Sequence, residues 1–148
     1  MIDYATLDGI LAKKDASIRE VMVECPEVAQ LTLNSIPLYY SVVRLMGYTE
    51  IGIVVLDEAG ERIVEYASHN DRTTGKITEV VGGDVVSGQT SFKNPDIIAR
   101  VRESVLLDIL RKRDWVRKHK IRGFLRYRHE FELNKDIKTL LLQRMLGV

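Results

Sequence analysis

The residues of this chain that could do chemistry are few: three histidines, one cysteine and the octapeptide "GDVVSGQT" at residues 83–90. The octapeptide has the spacing of a phosphate loop, G-x-x-x-x-G-K-[ST], but Gln89 stands where the lysine that meets the β and γ phosphates belongs. Such a loop must also open straight into a helix whose first amides face the anion. Here a β-run continues to Phe92 and the next helix signal waits for Pro95. The octapeptide therefore reads as part of a Gly-rich hairpin. His69, His119 and His129 show neither H-x-x-x-H nor H-E-x-x-H spacing, and Cys25 has no C-x-x-C partner, so no metal site is expected. His69, in "SHNDR" beside Asp71 and Arg72, sits among groups suited to acid–base work, although the same composition is that of an ordinary polar loop. His129 is expected on the inner face of a strand as a hydrogen-bonded core residue. Ser87 and Ser91 lack a G-x-S-x-G elbow and a base. Cys25 precedes a helix start, where a thiolate would be stabilised, but lone cysteines are usually inert and buried. No catalytic constellation and no cofactor are expected; the chain reads as a non-enzyme.

The stronger signal is charge. The stretch "RKRDWVRKHKIRGFLRYRH", residues 111–129, holds nine of the chain's 22 Lys and Arg residues and one acid, while the whole chain is only +1. The remainder is therefore net acidic, an asymmetry that points to an acidic partner or a membrane surface. Nucleic-acid binding needs cations on one surface, helped by aromatics where bases are unstacked. Trp115, Phe124 and Tyr127 are interleaved with the charges, but no RNP-like, GXXG or zinc-finger motif surrounds them. Arg111, Lys112, Arg113, Arg117, Lys118, Lys120 and Arg122 form the cluster proper. Arg113, Arg117, Lys118, Lys120 and Arg122 are the candidates for binding an anion or a lipid headgroup. A solvated face, an anionic membrane and nucleic acid all remain open readings, with nucleic acid the least favoured.

Totals bound the rest. A chain of 148 residues with 45% hydrophobic and 29% charged residues reads as one globular domain, residues 1–148, with a sizeable core. No apolar run is long enough to span a bilayer. Acids near the start, where a signal peptide is basic, and the single cysteine lead us to expect a cytoplasmic protein.

The elements that must position these residues follow from periodicity. Leu7, Ile10, Leu11, Ile18, Val21 and Met22 predict a helix over 5–24, with Thr6 as its cap. Pro26 ends it and suits the first position of a short second helix. A further helix is predicted over 36–46, with Ser35 as N-cap, Pro37 in its first turn and Gly47 just past its end. "IGIVVL" (51–56) and "RIVEYA" (62–67) predict a hairpin around "DEAGE". Residues 68–76 read as turn. "ITEVV" and "DVVSGQTSF" predict a second hairpin turning at Gly82-Gly83. Asn94 and Pro95 predict a helix over 96–110, with Ile98, Val101, Val105 and Ile109 inward and a break near Arg111–Arg113, followed by a short turn or helix around Trp115. "FLRYRHEFEL" (124–133) alternates and predicts a strand with Leu125, Tyr127, His129, Phe131 and Leu133 on one face. Asn134 would cap a last helix, 135–146, with Ile137, Leu140, Leu141 and Met145 on one face. The expected fold is α+β: a mostly antiparallel sheet of about five strands packed against N-terminal, middle and C-terminal helices, with N-terminal helices over 5–46 and the sheet and remaining helices over 50–146.

Over residues 50–146 the sequence resembles the sterol-carrier-protein (type 2) family. "DVVSGQTSF" resembles the strand before that family's cavity helix, and "DIIARVRESVLLDILRKRDWVRKHKIRG" the helical segment that follows. "GFLRY", Gly123 to Tyr127, resembles the next strand's G-K-L-K-I, and "DIKTLLLQ", residues 136–143, is similar to the last helix's D-M-A-L-A-M-K-L. "RHEFEL", residues 128–133, is an insertion relative to the family pattern. The resemblance implies a five-stranded α+β fold with a hydrophobic tunnel between sheet and helices that takes fatty-acyl chains, sterols or phospholipids, and it implies no catalytic residues. By position the cavity lining would fall on Val105, Leu106, Ile109, Leu110, Leu140, Leu141 and Met145, with the basic cluster near the tunnel mouth or a membrane-facing side. The expected function is thus the binding or carriage of an apolar ligand. A nucleic-acid-binding protein using 111–122 and a homodimer built on the leucine-rich C-terminal helix are the alternatives.

Overall fold

In a computed structural model, residues 2–25, 27–85, 93–135, 142–143 and 146–147 are described. The N-terminal third is helical but more broken than its apolar spacing suggests. Helix α1 (Tyr4–Leu11) is capped by Asp3, whose carboxylate accepts from the Thr6 amide at 3.2 Å and the Thr6 hydroxyl at 2.8 Å. It buries Leu7, Ile10 and Leu11. The predicted continuation to residue 24 fails because Lys14 and Asp15 occupy the positions where an unbroken stripe needs apolar side chains. Ser17 instead starts α2 (Ile18–Glu24) afresh, accepting from the Arg19 amide at 3.1 Å.

Helix α3 (Val28–Ser35) is the short helix expected after Pro26, and helix α4 (Tyr39–Met46) is the helix predicted over 36–46, begun three residues later. Pro37 excludes the helical conformation from the residue before it, and Ile36 is extended (ψ 122°). Ser35 is the last residue of α3 and not a cap; its hydroxyl donates back to the Leu31 carbonyl at 2.7 Å. Leu38 turns the chain into α4 from the left-handed region (φ 63°). Gly47 (φ 68°) ends α4 as expected.

Strands β1 (Glu50–Leu56) and β2 (Arg62–Asn70) form the predicted hairpin. Asp57 organises its loop by accepting from the Ala59 and Glu61 amides, both at 2.9 Å. Strand β3 (Ile77–Val85) runs antiparallel to β2 and continues straight through Gly82. The turn predicted at Gly82-Gly83 is therefore absent. Gly82 (φ 95°) lies where the register slips between Val64 and Tyr66, so its freedom serves a bulge. Residues 86–92, the rest of the expected second hairpin and most of the phosphate-loop look-alike, lie outside the described residues.

The largest correction concerns residues 96–102. They form strand β4 (Ile97–Arg102), parallel to β1, and not the start of a helix. Ile97, Ala99 and Val101 alternate inward, and β-branched residues favour the pleat. Asn94 does not cap a helix. Instead the Glu50 carboxylate accepts from the Lys93 and Asn94 amides at 2.9 and 3.1 Å, while the Asp96 carboxylate accepts from the Thr49 and Glu50 amides at 2.7 and 3.2 Å. These two acids lock the entry of β4 against the entry of β1.

Helix α5 (Glu103–Arg111) follows, then a break at Lys112, α6 (Arg113–Lys118) around Trp115, and α7 (Lys120–Tyr127). The break and the Trp115 helix were expected. The strand predicted over 124–133 is not formed: Gly123 and Tyr127, one helical turn apart, are the buried residues, while Leu125 and His129 are at the surface. Only Glu132–Leu133 is strand (β5), antiparallel to β4, and the Asn134 amide and side chain extend that pairing to Ile98. Of the predicted last helix, residues 142–143 and 146 are helical; 136–141 and 144–145 lie outside the described residues.

The fold is α+β. Its sheet has the order β3-β2-β1-β4-β5, antiparallel except for β1 with β4. Ile51, Ile53 and Val55, Val64 and Tyr66, and Ile97, Ala99 and Val101 form one face. They share the main core with Leu7, Val21, Leu33, Val43 and Leu106 from the helices. Buried hydroxyls on this side are paired: Tyr66 with Thr32 at 2.7 Å and Tyr39 with Ser68 at 2.5 Å.

Candidate functional site

Two places stand out. The first is the outer face of the sheet, opposite the main core. Strand β1 is buried at every position, so both of its faces are covered. Val54 and Leu56 on β1 and Ala67 on β2 are buried there, yet among the described residues they join neither hydrophobic cluster. Between them, across from Val54, lies Glu65, only 3% exposed. Neither of its carboxylate oxygens has a hydrogen-bond partner among the described residues. Arg62 Nη1 approaches Oε1 at 3.5 Å, an ion-pair distance without hydrogen-bond geometry. Arg100, on the other side of Val54, makes no ion pair with Glu65. A buried carboxylate left this way is costly unless something else meets it.

The second place is the helical hairpin α6–α7 beside α5. Val116 and Tyr127 pack with Ile109 in a small second cluster, joined by Val105 and Phe131. The Tyr127 hydroxyl donates to Asp108 Oδ2 at 2.6 Å, Lys112 pairs with Asp108 Oδ1 at 3.0 Å, and Arg126 stands 3.7 Å from Oδ2. Burial by itself raises the Asp108 carboxyl. The Tyr127 hydroxyl and the Lys112 ammonium outweigh it and hold the group below the usual carboxylate range. Burial and the same carboxylate push the Tyr127 phenol up to about 12. Ser104, Val105, Asp108, Arg126, Tyr127 and Glu130 line a cleft of about 280 Å³ here.

The basic cluster divides into two sets. Arg111 donates to the Leu11 carbonyl at 2.7 Å. Arg113 donates to the Leu110 carbonyl at 2.9 Å and to Asp8 at 2.9 and 3.1 Å. Arg111 thus ties the end of α5 to α1, Arg113 ties the start of α6 to α5 and α1, and Lys112 pairs back onto α5. Arg117, Lys118, Lys120, Arg122 and Arg128 are exposed and have no ion pair among the described residues. On α7 they neighbour Ile121 and Leu125, which are exposed too.

Of the cavity residues implied by the family resemblance, Leu106, Ile109 and Leu110 are fully buried in the packed clusters, and Val105 lines the small cleft. Leu140, Leu141 and Met145 lie outside the described residues. His69 is half-buried in β2 and not in a loop, and its ring has no hydrogen bond among the described residues; His119 leans on the Trp115 ring with centroids 5.5 Å apart. His129 is exposed just after α7 and is not a core residue. Cys25 is buried, and burial, with Asp3, Glu27 and Glu24 nearby, pushes its thiol up, the opposite of activation. Among the described residues no group of three His, Cys, Asp or Glu is placed to hold a metal, and no helix is long and apolar enough to cross a membrane. Sequence reasoning missed Glu65. Its only signal was an acid inside the β-run "RIVEYA".

No family model matches the chain, and no curated protein matches it. Among solved structures, the apo form of sterol carrier protein 2 from Yarrowia lipolytica aligns with 89% of this chain and 94% of its own length, at 11% identity and a TM-score of 0.38. At that score the two are similar in outline only, and the α+β class rests on the sheet and helices themselves.

Proposed function

We propose that this chain is a non-enzymatic module that binds an apolar molecule against the outer face of its sheet. The observation that supports the reading is the make-up of that face: Val54, Leu56 and Ala67 are apolar, belong to neither hydrophobic cluster, and surround the Glu65 carboxylate, which has no hydrogen-bond partner among the described residues. Each buried methylene of a ligand on such a surface contributes about 0.8 kcal/mol, so an acyl or isoprenoid chain would bind without polar contacts along its length. Ligand pockets of this kind fix orientation with a few polar groups. Glu65 suits that role for a head that donates hydrogen bonds.

The test is native mass spectrometry of the purified chain with organic extraction of any added mass, together with uptake of a fluorescent acyl probe. The expected result is a co-purifying apolar species, and probe uptake that is lost in a folded Ala67→Phe variant, which fills the face. A clean protein mass with no uptake of the probe would overturn the reading and leave the outer face covered by the chain's own residues.

A further inference from the structure

We propose that α7 and the end of α6 form a docking surface for an anionic lipid bilayer. Ile121 and Leu125 lie one turn apart on the outward side of α7 and are 71% and 52% exposed, with Phe124, 39% exposed, at their edge. Their orientation is fixed from the other side of the helix. A Cβ on Gly123 would stand 3.1 Å from Pro37 Cγ and 3.4 Å from Val116 Cγ1, and Tyr127 is held to Asp108. The aliphatic pair cannot rotate inward without breaking those contacts. Arg122 and Arg128 border the pair on either side by helical spacing, and Arg117, Lys118 and Lys120 precede it. An apolar strip bordered by cations is the pattern of a helix lying in a bilayer interface, with aliphatic groups among the acyl chains and cations at the headgroups.

Other acidic partners complement only part of this surface. Nucleic acid would meet the cations but leave Ile121 and Leu125 in water. Base stacking needs free aromatic faces; the Trp115 ring already leans on His119, which leaves the part-exposed Phe124 at the edge of the strip. A second copy docking face to face would set each cation cluster against itself. An anionic bilayer complements both the charge and the apolar strip. The proposal is independent of the apolar-ligand reading, which uses the sheet.

The experiment is co-sedimentation of the full chain with phosphatidylcholine vesicles, with and without phosphatidylserine, read also by the emission of Trp115, the chain's one tryptophan. Binding is expected only with phosphatidylserine, with Trp115 emission shifting to the blue. Each cation near an anionic surface contributes about fivefold in affinity, so Arg117→Gln/Lys118→Gln/Arg122→Gln should weaken binding on the order of 100-fold. Ile121→Ser/Leu125→Ser, at exposed positions the fold does not need, should weaken it about 10-fold or more and abolish the blue shift. Absence of vesicle binding, or equal binding to pure phosphatidylcholine, overturns the proposal. So does an Ile121→Ser/Leu125→Ser protein that binds vesicles like the parent, or a dimer that the same variant dissolves. Salt-dependent nucleic-acid binding in the absence of vesicle binding would assign the cations to that partner instead.

Discussion

Tyr127 ties α7 to α5 through one hydrogen bond, and Tyr127→Phe removes that bond alone. The ring stays where it packs, against Ile109 and Val116. A hydrogen bond to a charged group contributes about 1.5–3 kcal/mol. The Asp108 side chain is 33% exposed and keeps Lys112 at 3.0 Å, so water and the ammonium recover part of the loss. The expected destabilisation near neutral pH is therefore at the lower end, about 1.5 kcal/mol. Its pH dependence has a definite sign. The folded protein holds the Asp108 carboxyl below its ordinary value, in part through this hydroxyl. Stability from such a group is fully present above the unfolded value, about 3.9, and is lost as pH falls through the folded one. The deficit of Tyr127→Phe should be full near neutrality and should shrink as pH falls below about 4. Urea unfolding of both proteins across that range, with equal slopes, measures it. A deficit below about 0.5 kcal/mol at neutral pH would refute the bond's assigned strength, and one that persists unchanged in acid would refute its ionic character.

Three further outcomes follow from the same geometry. Glu65→Leu removes a buried carboxylate without hydrogen-bond partners among the described residues, so the protein should gain about 1–3 kcal/mol in denaturant unfolding; a loss of stability would show that Glu65 is satisfied in solution. Burial pushes Tyr39 up to about 12 and Tyr66 further, and Tyr127 also stands at about 12. Each is native as the neutral phenol, so their stability is complete below the unfolded value of about 10 and is lost as pH rises through the folded values; a flat unfolding free energy across alkaline pH would contradict this. Gly75→Ala should cost at least about 2 kcal/mol, against about 1 for Gly60→Ala, because both glycines have positive φ but only at Gly75 would the Cβ also meet a backbone oxygen. That contact is with the Tyr40 carbonyl at 3.0 Å, whereas nothing lies within 4 Å at Gly60. Equal costs by thermal unfolding would remove the steric argument.

The sequence was most readable where neighbouring residues decide the structure. The β1–β2 hairpin follows from two β-branched runs and a five-residue loop that Asp57 closes by itself. The break at Lys112 follows from a charge falling on an apolar stripe. Errors arose where two periods fit the same residues. Ile98, Val101, Val105 and Ile109 have helical spacing, and Ile97, Ala99 and Val101 have strand spacing; β1 alongside decides for the strand. Residues 124–133 alternate in type, but a Pro37–Gly123 contact across more than eighty residues of chain favours the helix. The importance of Glu65 depends on burial of the outer sheet face, which no local pattern encodes.

The basic stretch shows the same limit at the level of function. Its nine cations are alike in sequence, yet Arg111 and Arg113 reach back to Leu11 and Asp8 at the other end of the chain. Lys112 is taken by Asp108. These cations are structural, because charge-assisted bonds to fixed acceptors hold the hairpin in one orientation. That fixed orientation gives the remaining cations a common direction. Arg117, Lys118, Lys120 and Arg122 stay in water beside Ile121 and Leu125 because Gly123 and Tyr127 occupy the inward side of α7. If the anchoring set were only another part of a diffuse charged surface, Arg113→Gln would weaken vesicle binding by no more than one cation's share, about fivefold. If it orients the hairpin, the loss should exceed that share, and it should be accompanied by altered exposure of Trp115 before any vesicle is added.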